Sequence, residues 1–509
     1  MDQVFTFHET VRGHLHVMNE FPCEDSSSSF SAENGRYHIA IVADGHGSKS
    51  CFRSDYGSKV ATEVALECLQ QFAEATLASE ELEERFYKDV FSNPRYRHMT
   101  VRRLTDTILA EWHDRVLENY NNNPPTLEEM RESADEYQNG KNPAHIYGTT
   151  LIAALKIPQC LILLHQGDGR CDVFYENGTV DQPIPWDSRC EDTATTSLCD
   201  EDAAERFRSC VINLAEKPVM ACYVGCDGIE DAYRDTYEGL GGSHTLMGGV
   251  HTFYKYLTCQ ILQKGQENFK AWLPEFLTKF SADGIFSRSG SGDDVSVSGI
   301  IDLRKLASFI KEYAYDIKLY SLEENLFWKE DELRGKTRKH GILKKRFDEA
   351  QHVLENAVMN QTALEETLAQ LKNQHTESAH RIEAAKEELE DYRQDAESAT
   401  GQFEGRYAAR FGSAVQRFIE EISTGYSQKE AAYSKMYEQL MELDGRIEQT
   451  EAEIDCGKKH ILELEAKRDE AQSAFEEYDE KYRTIDIERS KIADQIATLK
   501  EGTYIVVVQ

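Results

Sequence analysis

The chain is 509 residues long, too long for one ordinary domain, and carries 57 Lys and Arg against 91 Asp and Glu, a formal net charge of -34. So acidic a chain is a poor general nucleic-acid binder, because phosphate contacts need cations, and the excess acid reads first as solvated surface. The 12 cysteines include no C-x-x-C pair and several sit inside apolar runs, which excludes a zinc framework and fits buried thiols in a reducing compartment.

In chain order, "MDQVFTFHET" lacks the basic and apolar regions of a secretory signal, and no apolar run approaches the ~18 residues needed to span a bilayer. The chain therefore reads as cytoplasmic, with no membrane partner. Residues 1–303 are rich in strand signals: "YHIAIVA", "TTLIAALKI", "CLILLHQ", "CDVFYENG", "VMACYVG" and "DVSVSGIID". The "PQ" between the second and third of these predicts a hairpin. "GSKVATEVALECLQQFAEA" and "VRRLTDTILAEWHDRVLENY" have helical spacing, and the polar "NNNPPTLEEMRESADEYQNGKNP" predicts a surface loop. Strands enclosing helices suggest layered sheets covered by helices. Cys222 and Cys226, four apart on a predicted strand, share a face and read as core.

After about residue 304 strand signals thin out. Residues 304–345 read as a helical linker with a basic island, "RGKTRKHGILKKR", either a solvated helix start or a contact for an acidic partner. Residues 346–500 carry two heptad tracts. Leu364, Leu368, Leu371, His375, Ser378 and Ile382 alternate steps of four and three, and Leu440, Leu443, Ile447, Thr450, Ile454, Gly457, Ile461 and Leu464 begin a longer series. A seam of 3.5 periodicity argues for a coiled coil, and at ~1.5 Å per residue the second tract would reach roughly 90 Å. Gly401, Gly405, Gly412 and Gly425 mark the place to reverse direction, which favours an antiparallel hairpin; a parallel dimer is the competing reading. The tail, 501–509, is β-prone.

Acids stand where strand runs end: Asp44 after "IAIVA", Asp168 after "LILLHQG", Asp227 after "CYVGC", Asp293 and Asp294 before "VSVSGII", and Glu24 and Asp25 in "FPCED". Clustered carboxylates raise one another's pKa unless cations join them, and all-oxygen sites suit magnesium or manganese. Two such ions can lower the pKa of a water and clamp a phosphoryl group, so the pattern points to a two-metal hydrolase.

"ADGHGS", "YGTTLIAAL", "GDGR", "GCDGIED" and "GDDVSVS" resemble, in order and spacing, the motifs of the metal-dependent type 2C serine/threonine protein phosphatases. "VRGHLHVMNEFPCEDSS" resembles the first motif of a branch widespread in bacteria. The resemblance covers about residues 5–303. It implies an α+β fold: a four-layer α-β-β-α sandwich of two antiparallel sheets, here followed by the long α-helical coiled-coil region. It implies two Mn2+ or Mg2+ ions, with Asp44 bridging them, the Gly45 carbonyl joining one, and Asp227 and Asp293 on the other. Glu24 would reach a metal directly or through water, Asp25 would stand behind it, and Asp168 would hold a weaker third ion. His46 would be the general acid that protonates the leaving oxygen. Where the family often has arginine to grip phosphate, this chain has His16, with Arg12 nearby. Ser48, Gly169 and Asp294 are further departures, and none removes an expected ligand. The implied partner is a phosphorylated protein, the substrate of a cognate serine/threonine kinase. A homo-oligomer through the coiled coil is a further expectation. The alternative is a coiled-coil scaffold or signalling adaptor with a phosphatase-like sensor domain.

Overall fold

The computed structural model describes residues 4–133, 137, 142–190, 194–233, 242–406 and 412–502. They divide into two compact units, Met1–Trp328 with Ser490–Gln509, and Lys329–Arg489.

The first unit contains two five-stranded antiparallel sheets. One has the order β1 (Val4–Val11), β10 (Val295–Asp302), β9 (Val219–Gly225), β6 (Arg170–Tyr175), β7 (Val180–Asp181). The other has the order β2 (Ser26–Ser31), β3 (His38–Ala43), β4 (Leu151–Ile157), β5 (Cys160–Gln166), β8 (Arg208–Asn213). β4 and β5 pair from Ile157↔Cys160 outward, so Pro158–Gln159 is the hairpin turn.

Strand periodicity explains the layers, because successive side chains leave opposite faces. Ala40, Val42, Ile152, Ala154, Cys171, Val173, Cys222 and Cys226 fill the space between the sheets. Ile39, Ile41 and Ala43 turn the other way, onto the helices Ser54–Thr76 and Pro94–Asn122. On the opposite side Phe7, Tyr223 and Val297 meet the helices Gly242–Lys264 and Gln266–Asp283. This is the α-β-β-α sandwich. Tyr313 and Ile317 of the next long helix join the same outer core.

Four strands have no apolar run to announce them in the sequence reading: β1, β2, β7 and β8. "SSSSFS" looks like a loop, yet it forms β2 at a sheet edge. Its hydroxyls meet β1, the edge of the other sheet. Thr6 Oγ1 and Ser31 Oγ are 3.0 Å apart, His8 Nδ1 and Ser29 Oγ 2.9 Å, and Thr10 Oγ1 and Ser27 Oγ 2.7 Å. A polar ladder of period two thus closes that edge of the sandwich, which protects both strands from other chains.

Trp112 anchors the helical layer over β3. It is fully buried, and its indole N–H donates to the Gly57 carbonyl at 3.0 Å. Gly57 itself has no room for a side chain, since a Cβ would lie 1.9 Å from the Tyr147 carbonyl oxygen. Trp112→Ala is expected to cost about 3–5 kcal/mol, from lost packing and an orphaned acceptor. A urea unfolding midpoint shifted by less than half a molar (about 1 kcal/mol by the usual slope) would contradict this.

The polar segment after Asn122 is not wholly a loop: Leu127–Glu132 is a short helix with a capping box between Thr126 and Glu129. Residues 134–136 and 138–141 lie outside the described residues.

The second unit consists of parts of two long helices, Ile310–Arg406 and Gly412–Lys500. They run antiparallel: Lys329 pairs with Glu488 (2.7 Å), His340 with Asp479 (2.8 Å), Lys372 with Glu451 (2.6 Å) and His375 with Asp444 (2.8 Å). Leu354, Leu371, Ile382, Ile454, Leu464 and Ile485 are buried between them. Gly457, which looks like a flaw in the heptad seam, makes room for Gln361: a Cβ there would lie 2.2 Å from Gln361 Oε1. Gln361 is buried and donates to the Ile454 carbonyl at 3.1 Å. The basic island lies within the helix Ile310–Arg406, with Lys339 over the Tyr478 ring. Residues 407–411, between the two helices in sequence, and the tail from 503 onward lie outside the described residues. Within the first unit, Ile496 and Leu499 pack on Leu322.

Candidate metal centre and active site

β3 and β9 are interior strands of different sheets, and both finish at the same place. The residues beyond their ends, Asp44 and Asp227, share a side-chain hydrogen bond. Asp44 is fixed through its backbone. Its N–H donates to Thr150 Oγ1 (3.0 Å), and its carbonyl accepts from Thr149 Oγ1 and from the Thr150 N–H, each at 2.8 Å. Gly45 forms a bridge with Thr149. A Cβ on Gly45 would stand 2.4 Å from the Glu24 carbonyl oxygen and 2.9 Å from that of Ser54, so only glycine lets these segments converge. The His46 N–H donates to the Gly148 carbonyl at 3.1 Å. The "YGTT" segment therefore sets the position of all three residues of "DGH".

Asp25, Asp44 and Cys226 each place a ligand atom within 4.8 Å of the others. Asp25 Oδ2 is buried with no hydrogen-bond partner. Asp168 follows Gly167, whose φ of 107° bends the β5–β6 turn, and its charge acts on both Asp44 and Asp227. Glu24 Oε1 accepts from Ser54 Oγ at 2.9 Å.

The remaining acids form a second knot. His16 Nδ1 lies 3.0 Å from Asp294 Oδ1, and its Nε2 lies 3.5 Å from Asp293 Oδ1. Asp294 also accepts the backbone N–H of Gly13 and of Glu24, each at 2.6 Å. Asp294 spends one oxygen on each amide, which an asparagine, with a single acceptor oxygen, could not do. Its carboxylate clamps the segment carrying His16 and Glu24 onto β10. Arg12 turns to the backbone, donating from Nη2 to the His16 carbonyl at 3.0 Å. An open cleft of about 550 Å³ is lined by His16, Glu24, Gly47, Lys49 and Asp293, together with Leu15 and Phe21. Those last two side chains are exposed.

Burial and mutual repulsion dominate the electrostatics. Burial, then Asp227 and Asp25, lifts Asp44 well above the ordinary carboxylate range, and burial with Asp168 and Asp293 lifts Asp227. Burial and Asp294 push Asp25 up to about 8. Crowded, protonation-prone oxygens with an unpartnered buried acceptor are what a pair of divalent cations would satisfy, so the residues present fit Mn2+ or Mg2+.

A pH prediction follows from these shifts. Asp25 holds a proton in the folded state that the unfolded chain releases near its ordinary value. Folding thus takes up protons between pH about 4 and about 8, and stability falls as pH rises across that window. Asp44 and Asp227 act with the same sign. In chelator the stability should decline from pH 5 to pH 8 by up to about 1.4 kcal/mol per pH unit for each proton, seen as a falling melting temperature, and Mn2+ should remove the decline. A metal-free melting temperature that rises over this range would contradict it.

Two participants escaped the sequence reading. Cys226 packs in the inter-sheet core yet also borders Asp25 and Asp44; its place next to Asp227 in "GCDG" is the only signal. Asp231 acts on Asp227 from four residues along the chain, a spacing that places two side chains on one helix face.

A family profile described as protein phosphatase 2C matches residues 12–278. No curated protein matches the chain. Among solved structures, it is similar to a bacterial serine phosphatase (14% identity, 58% of this chain and 96% of that one, TM-score 0.35). It is similar to the catalytic domain of the serine/threonine protein phosphatase PstP, solved with two manganese ions (14%, 58% and 97%, TM-score 0.32). It is also similar to the serine/threonine phosphatase Stp1 from Staphylococcus aureus (13%, 59% and 95%, TM-score 0.30). The profile spans more than half of the 509 residues and contains the carboxylates that end β3 and β9, and the chain belongs to the protein phosphatase 2C family.

Proposed function

We propose that this phosphatase hydrolyses phosphoserine and phosphothreonine in proteins. The observation that carries the reading is the meeting of Asp44 and Asp227, from two sheets, in one hydrogen-bonded and cation-poor pair. Asp44, the Gly45 carbonyl, Asp227, Asp293 and Glu24 would hold two divalent ions, with Asp25 behind them and Asp168 offering a weaker third position. Bound there, the ions supply Lewis acidity that favours deprotonation of a water and neutralises phosphoryl charge. The chain's own groups do the rest. The "YGTT" segment holds Asp44 and His46 at fixed spacing. His16, braced by Asp294, borders the space for the phosphate, and Arg12 holds the His16 carbonyl behind it. His46 faces the leaving oxygen. Burial and His145 lower His46 to about 4, so its ring is neutral near pH 7. A bound phosphate dianion would restore its proton, which ties acid catalysis to substrate binding.

Residues 1–303 are the catalytic region in this reading. Residues 304–345 lead into 346–500, a coiled-coil hairpin that recruits the phosphoprotein or a second copy of the chain. In the same reading the enzyme acts in the cytoplasm, opposite a serine/threonine kinase; the free thiols among the described residues fit a reducing compartment. Phosphate release from a phosphoserine peptide should require Mn2+ or Mg2+ and vanish in chelator. Release at equal rates in both conditions would overturn the reading.

A further inference from the structure

Two cysteines and a histidine surround Gly148, on the segment that holds the "DGH" turn. Cys199 Sγ lies 3.6 Å from His145 Nδ1, and Cys51 Sγ lies 4.0 Å from His145 Nε2. Both cysteines are buried, while His145 reaches solvent. Around the bare Cα of Gly148 the groups crowd one point. A Cβ there would lie 2.7 Å from His46 Cδ2, 2.8 Å from Cys51 Sγ and 3.3 Å from Cys199 Sγ. Glycine thus leaves the gap in which the two sulfurs could meet, beside the His46 ring.

We propose that Cys199 and Cys51 form a thiol modification site for hydroperoxides, closing to a disulfide across Gly148 that displaces His46. The imidazole of His145 takes the Cys199 proton, and Cys199 is the attacking sulfur. Burial pushes the Cys51 thiol up and keeps it protonated as the resolving partner. The Cys199 thiolate attacks the peroxide, forming Cys199–SOH and releasing alkoxide or hydroxide, which takes up the proton held by His145. Cys51 then attacks that sulfur, giving the disulfide and one water. A dithiol reductant reverses it by exchange, leaving both cysteines reduced and the reductant oxidised.

The consequence for the centre follows from the hydrogen bonds. Gly148 carries the carbonyl that accepts the His46 N–H. Ser197, two residues before Cys199, accepts the Thr149 N–H at 3.1 Å, and Thr149 Oγ1 donates to the Asp44 carbonyl at 2.8 Å. Drawing Cys51 and Cys199 together pulls on both supports of the turn. A displacement near 1 Å of a catalytic group costs on the order of 10²-fold in rate. This consequence rests on the phosphatase reading; the disulfide does not.

The test treats the reduced full-length protein with hydrogen peroxide, blocks free thiols, and maps linked peptides by mass spectrometry without reduction. The expected result is a Cys51–Cys199 link, a loss of phosphopeptide hydrolysis on the order of 10²-fold, and recovery of both with dithiothreitol. Cys51→Ala and Cys199→Ser should keep activity through the same treatment. A link between Cys171 and Cys222, whose sulfurs lie 3.8 Å apart in the inter-sheet core, or no link at all, would overturn the site. A Cys51–Cys199 link that leaves hydrolysis unchanged would overturn its hold on His46. The mapping is decisive even if a variant fails to fold or the untreated protein shows no phosphatase activity, and that last outcome would count against the phosphatase reading alone.

Discussion

Asp44→Asn is expected to lower phosphopeptide hydrolysis by on the order of 10³-fold, to background, while leaving the fold intact. The side chain keeps its shape and loses one anionic oxygen at the point where two strands from different sheets deliver their carboxylates. In the two-cation reading, several kcal/mol of transition-state stabilisation would depend on ions held there, which sets the magnitude. The same substitution should raise the melting temperature in chelator, because folding no longer has to take up a proton to neutralise a carboxylate buried beside Asp227 and Asp25. It should also abolish the upward shift that Mn2+ gives the wild type. Opposite signs for activity and metal-free stability separate loss of a metal ligand from loss of structure. A variant that is both inactive and less stable in chelator would point to a structural carboxylate instead.

His46→Ala is expected to reduce kcat for a phosphoserine peptide by about 10²–10⁴-fold, the range for a removed general acid. With p-nitrophenyl phosphate the reduction should be slight, because that leaving group departs without a proton. The Gly148 carbonyl binds the backbone N–H of residue 46, which alanine retains, so the turn should hold. Equal losses on the two substrates would show that His46 positions the turn rather than protonates.

Much of this centre can be read in the sequence because its geometry is local. An apolar run such as "HIAIVA" buries on both faces and must end at the sheet rim, and Asp-Gly there puts a carboxylate beside free backbone. What the sequence leaves illegible is non-local. β2 is four serines and a phenylalanine before a last serine; it becomes a strand only because Thr6, His8 and Thr10 offer hydroxyl and imidazole partners from the other sheet. Asp294 looks like surplus charge beside the site until the Gly13 and Glu24 amides are seen to need its two oxygens. Arg12, a candidate phosphate grip by sequence, is drawn to the His16 carbonyl at the end of a short helix. Gly457 appears as a defect in a heptad and proves to be the slot for Gln361. Arg12 is settled by a carbonyl four residues away, but in the other cases the deciding partner lies on a different element, beyond what periodicity can report.

The central claim is that the ends of β3 and β9 build one site for two divalent cations. Anomalous scattering at the manganese edge from crystals of the full chain grown with Mn2+ tests it most directly. Two peaks are predicted on either side of the Asp44 carboxylate, one of them also within ligand distance of Asp227 and Asp293, and both absent from Asp44→Asn crystals. Manganese found only elsewhere on the acidic surface, or bound unchanged in the variant, would contradict the account.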